Sequence, residues 1–152
     1  MKTVFTIALH SSVDVITNSS SEIFICSTNN SLEDVKEILQ SLLDIHHKAD
    51  PYYGNNFDDV FGEIYVLDES NVDSYIDLMV EWECWPRDIS YHDKQYQKKL
   101  AEARRLYRKE HYGDPTELYG KIVINSNGDN SIPWGIQQSI EELFHAKRTH
   151  LG

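Results

Sequence analysis

The chain has 152 residues, of which 40% are hydrophobic and 11% aromatic, with a formal net charge of -11. That length suits one domain, predicted over 1–152, and buries roughly 68–70% of the unfolded surface, so neither a disulfide nor a metal ion is needed. The composition excludes a disordered chain. The acidic balance argues against nucleic acid as the main partner, because phosphate binding needs a basic footprint, and it fits a basic protein partner, nucleic-acid mimicry or solubility alone.

The first predicted strand covers about 3–10. Lys2 ahead of it imitates a signal peptide, but the apolar run is short, contains Thr6 and lacks a small-residue cleavage site. No segment reaches the ~20 apolar residues of a membrane span. The expectation is therefore a cytoplasmic protein without a membrane partner. The sequons at Asn18-Ser19-Ser20 and Asn29-Asn30-Ser31 then carry no glycan. Cys26 and Cys84 form no CxxC pair and are predicted as buried free thiols in a reducing compartment.

A second strand is predicted at about 22–28. Between the two strands lie Thr17, Asn18, Ser19, Ser20, Ser21 and Glu22, a dense set of hydrogen-bonding groups. Such a loop either bonds to its own backbone through Ser/Thr and Asx turns or holds a polar ligand through hydroxyls and loop amides. Glu22 favours a cation, a hydroxyl or an amine over an anion. The serines lack the GxSxG of a nucleophile elbow and the glycines and lysine of a P-loop.

Ser31-Leu32-Glu33-Asp34 opens a helix over 31–47 with a capping pattern. Leu32, Val35, Ile38, Leu39, Leu42 and Leu43 form its apolar face. A loop follows at 50–56 and a third strand at 61–67. A second helix starts near Ser70 and Asn71, buries Val72, Tyr75, Ile76, Met79 and Val80, and closes before Trp85-Pro86. The longest helix is predicted over 90–111, with a narrow stripe of Tyr96, Leu100, Ala103, Leu106 and Tyr107. A fourth strand spans 119–125. Pro133 sits in the first turn of a last helix that turns Ile136, Ile140, Leu143 and Phe144 inward. The order ββαβααβα predicts an α+β fold: a small mixed four-stranded sheet with helices mainly on one face.

None of the seven histidines has metal-ligand spacing, so no metal and no cofactor are expected. His10 ends the first strand beside the polar loop. If the protein is an enzyme, His10 is the base and Ser20 or a neighbour the nucleophile or binder. Asp58-Asp59 and Asp68-Glu69 read as solvated loop charge. Trp82, Trp85, Trp134, Tyr52 and Tyr53 line either a groove or the core. Lys98, Lys99, Arg104, Arg105, Arg108 and Lys109 form a basic patch diluted by Glu102 and Glu110.

The stretch Asp14-Val15-Ile16-Thr17-Asn18-Ser19-Ser20-Ser21-Glu22 resembles a T-N-S-S-S phrase near the N-termini of many small uncharacterised proteins of tailed bacteriophages. Asp129-Asn130-Ser131-Ile132-Pro133-Trp134 and the final Arg148-Thr149-His150-Leu151-Gly152 look like the endings of some of them. The resemblance implies a phage-encoded accessory protein in the cytoplasm of an infected bacterium. It carries no activity with it. The predicted function is non-enzymatic binding of a host factor or small polar ligand through Thr17, Asn18, Ser19, Ser20, Ser21 and Glu22, beside Asn130 and Trp134. The alternatives are a small hydrolase or transferase acting on a phosphorylated or nucleotide-like ligand, and a minor virion component.

Overall fold

The computed structural model describes residues 21–127 and 132–151. The predicted strand at about 3–10, His10, Thr17, Asn18, Ser19, Ser20 and Asn130 lie outside the described residues. The chain groups into two compact units. One runs to Leu67 and resumes at Gly120; the other is Asp68–Tyr119.

The first unit begins with β1, Ser21–Cys26. Ile23, Phe24 and Ile25 give it β propensity. Ser31 then caps α1, Leu32–Ala49, its hydroxyl accepting from Asp34 N–H at 3.1 Å. His46, His47 and Lys48 occupy the last turn, where cations suit the dipole. A single turn, α2, Phe57–Val60, leads into β2, Phe61–Val66. β3, Ile122–Ser126, and α5, Trp134–Leu143, follow the second unit in sequence. The last strand is β4, Ala146–Leu151.

The sheet order is β2-β3-β1-β4, and its three pairings are antiparallel. An α+β fold with a small four-stranded sheet is thus what forms. Phe24, Cys26, Ile64, Ile122 and Ile124 pack on Val35, Leu39 and Leu43 of α1, on Ile136 and Ile140 of α5 and on Phe144, its C-cap. The helices α1 and α5 therefore cover one sheet face. Each fully buried leucine of α1 contributes about 1.5–3 kcal/mol. Burial pushes the Cys26 thiol up to about 12, so it stays protonated and behaves as an apolar core group.

Two glycines are required by geometry. At Gly62 the β2–β3 register shifts, and a Cβ there would meet the Ser126 carbonyl oxygen at 3.0 Å. Gly120 has φ 86 and donates to the Leu67 carbonyl at 2.9 Å, while Leu67 N–H donates to the Lys121 carbonyl at 2.8 Å. The chain thus leaves β2 and returns to β3 at hydrogen-bonded neighbours, and the second unit is an insertion in that connection.

Within the second unit, α3 is Val72–Glu83 and buries all five predicted apolar residues together with Leu78. α4 is Tyr96–His111, shorter than the predicted 90–111 and than α1. Ser90 and Asp93 each close a local turn instead: Ser90 Oγ accepts from His92 N–H, and Asp93 Oδ1 from Gln95 N–H at 2.7 Å. The apolar stripe of α4 contains no fully buried residue, and Leu106 is exposed. A 3-10 turn, Pro115–Leu118, ends the unit.

Leu143 was predicted to face inward but is 52% exposed, while Gln137 is buried. The buried face of α5 is rotated toward Gln137, whose amide donates to the Ile132 carbonyl at 2.7 Å. Pro133 is the N-cap of α5 rather than part of its first turn. After the helix His145 takes a left-handed φ of 47, which reverses the chain into β4.

Candidate functional site

Side chains alternate along a strand, so Ser21 and Glu22 project from opposite faces of β1. Glu22 shares the helix-covered face with Phe24 and Cys26. Its register partner on β4 is His150, and that of Phe24 is Arg148. Pairing in this register gathers Glu22, His150 and Arg148 at one end of the core face.

Glu22 is only 5% exposed. Its N–H donates to Ser126 Oγ at 2.8 Å, which closes the β1–β3 edge of the cluster. Glu22 Oε1 lies 2.8 Å from His150 Nδ1 and 3.7 Å from Arg148 Nη1. Arg148 Nη1 also donates to Gln137 Oε1 at 3.0 Å, and Arg148 Nε lies 3.2 Å from Glu141 Oε1. Gln137 and Glu141 stand one turn apart on α5 and so share a face. The N-terminal residue of that helix, Trp134, precedes Gln137 by three positions and is 69% exposed.

The burial is graded. The Glu22 carboxylate lies inside, and the His150 and Arg148 side chains are 48% and 40% exposed. A buried carboxylate thus holds two half-exposed nitrogen groups side by side. Glu22 Oε2 is sealed and has no hydrogen-bond partner among the described residues; the same is true of Ser21 Oγ on the opposite face. With its charge turned toward His150 and Arg148, Glu22 acts beneath the surface. The accessible edge presents the His150 ring and the Arg148 guanidinium beside the half-exposed Glu141 carboxylate, a polar surface with both signs of charge, whereas the sequence suggested a site for a cation, a hydroxyl or an amine.

Of the predicted contact residues, Ser21 and Glu22 are strand residues, and Trp134 stands at the start of the helix that shares the Glu22 network. His150, Arg148, Gln137 and Glu141 were not singled out from the sequence as site residues. Among the predicted aromatics, Tyr52 and Tyr53 make an edge contact at 5.4 Å, and Trp85 donates its indole N–H to the Trp82 carbonyl. Among the described residues no three His, Cys, Asp or Glu side chains group as metal ligands, and no helix is long and apolar enough to cross a membrane.

No protein-family model matches this chain, and neither a curated protein nor a solved structure shows significant similarity to it.

Proposed function

We propose that the chain is a phage-encoded accessory protein of the infected bacterial cytoplasm, which binds a host factor or small polar ligand without catalysing a reaction. The contact site is the edge that carries His150 and Arg148, extended by Trp134 at the start of the helix bonded to Arg148. The observation that carries this reading is the Glu22 carboxylate, 5% exposed, holding His150 at 2.8 Å and leaving its ring half exposed. A guanidinium and an imidazole held in place by a buried carboxylate, with an exposed indole at the start of the helix that shares their network, suit recognition of a polar surface. The phage origin rests on the resemblance of residues 14–22 and of the C-terminal residues.

The test is capture from infected-cell extract by the immobilised chain, with native mass spectrometry of the eluate. Trp134→Ala and Arg148→Ala are each expected to release a species that the unmodified chain retains. Identical eluates from folded variants would overturn the site.

One observation favours the hydrolase or transferase reading. A histidine whose Nδ1 meets a buried carboxylate is the base-and-orienter half of an acid–base site. His150, rather than His10, is the base on this reading. Turnover of a phosphomonoester panel that His150→Ala abolishes would support it; activity unchanged in His150→Ala would end it.

A further inference from the structure

A second feature lies wholly within the 68–119 unit. Trp85 follows α3, is 57% exposed, and has its ring fixed by the indole N–H bond to the Trp82 carbonyl at 3.1 Å. The Arg104 guanidinium lies over that ring, 5.9 Å from its centroid. On α4, Tyr96 precedes Arg104 by two turns on the same helix face. Tyr96 stacks on the exposed Tyr91, with centroids 4.8 Å apart and planes 22° apart. The Arg104 charge is felt at Tyr96, where it opposes the upward push of burial on the phenol.

Arg104 differs from the neighbouring arginines. Arg105 pairs with Glu102, and Arg108 pairs with Asp73 and Asp77. Arg104 pairs with no carboxylate among the described residues, and its Nε is sealed without an acceptor, as is Trp82 Nε1. The chain has 25 acidic residues against 14 basic ones, so acids are not scarce. The guanidinium thus lies over a hydrogen-bonded indole with no counter-charge in ion-pair reach among the described residues.

We propose that this surface binds a nucleoside monophosphate, with the base stacked on Trp85 and the phosphate on the outer nitrogens of Arg104. An exposed flat ring accepts any base through its π face, and the guanidinium fork matches phosphate oxygens. An isolated anion makes no use of Trp85, and an apolar ring makes no use of the uncompensated charge. A net charge of -11 disfavours a long polyanion, so the occupant is the free nucleotide rather than a base within a strand. The site does not depend on the Glu22 cluster.

The test is calorimetric titration of the full chain with adenosine 5′-monophosphate, adenosine, inorganic phosphate and a short single-stranded oligodeoxyadenylate. The monophosphate is expected to bind saturably, and adenosine roughly 10- to 150-fold more weakly, the range for hydrogen bonds to a charged group. Trp85→Ala is expected to weaken the monophosphate roughly 5- to 150-fold. Arg104→Gln should remove the advantage over adenosine, Arg104→Lys should reduce it, and Glu22→Gln should leave it unchanged. Circular dichroism checks each fold, and Arg104→Lys decides if Arg104→Gln does not fold. Absent monophosphate saturation, equal binding of adenosine, tighter binding of the strand, or indifference to the Arg104 changes would overturn the proposal.

Discussion

Glu22 and His150 face each other across the β1–β4 pair, 128 positions apart in sequence and 2.8 Å apart in space. The contact ties the last strand to the first described one. It also sets an energetic asymmetry, because Glu22 is buried while His150 and Arg148 are half exposed.

Removing the outer partners strands a buried charge; neutralising Glu22 leaves two groups that water can solvate. Arg148→Ala is therefore expected to cost about 1–3 kcal/mol and to exceed Glu22→Gln. Denaturant melts of both variants at neutral pH check the order. The reverse order would show that Glu22, not its partners, carries the stability of this edge.

Leu39 is fully buried at the centre of the α1 stripe, and Leu143 is 52% exposed at the end of α5. Leu39→Ala should cost about 2–5 kcal/mol, and Leu143→Ala no more than about 0.5 kcal/mol. Comparable losses at the two sites in chemical melts would contradict the burial of α1.

The helix α1 was legible because three signals agreed: a capping serine, a helical apolar period and a basic last turn. β4 was not, because Ala146, Lys147, Arg148, Thr149 and His150 carry no apolar alternation. Its core-facing positions hold Ala146, Arg148 and His150, and two of these are polar because their partners are Glu22, Gln137 and Glu141. Glu22 was named from a local run of polar residues. Its partners were invisible because strand register, not sequence proximity, brings them together. The helix expected over 90–111 also starts later, at Tyr96, because the side chains of Ser90 and Asp93 close two local turns in place of its first residues.

The turn before β4 also lacked its usual marker. His145 holds φ 47, a conformation that costs a residue with a Cβ about 1–2 kcal/mol. His145→Gly is expected to raise stability by about 1 kcal/mol, the Cβ penalty less the added chain entropy of glycine. Thermal melts of the two chains at one pH measure it. A loss instead would show that the imidazole makes a stabilising contact.

The Cys26 thiol is raised from 9.0 to about 12 by burial. A raised acid is favoured in its neutral form, so its contribution is complete below the unfolded value and is lost as pH climbs through the folded one. Stability should fall between pH 9 and 12, and less steeply in Cys26→Ala. Parallel denaturant melts across that window give the difference. Superimposable slopes would mean that other groups, such as the raised Tyr112 phenol, account for the alkaline loss.

Ser21 decides how the polar run containing it is used. The side chain is 4% exposed, projects from the face opposite Glu22, and its Oγ has no hydrogen-bond partner among the described residues. A buried hydroxyl without a partner costs about 1–3 kcal/mol. Ser21→Ala removes that cost along with little volume, so it should leave stability unchanged or raise it by about 1 kcal/mol. The same variant should keep any partner captured through Trp134 and Arg148, because Ser21 does not share their face. A denaturant melt and the capture experiment on one preparation test both statements. A clear loss of stability would mean that the hydroxyl has a native partner. Loss of the captured partner from a stable variant would move the contact site from the His150 edge to the opposite face of β1.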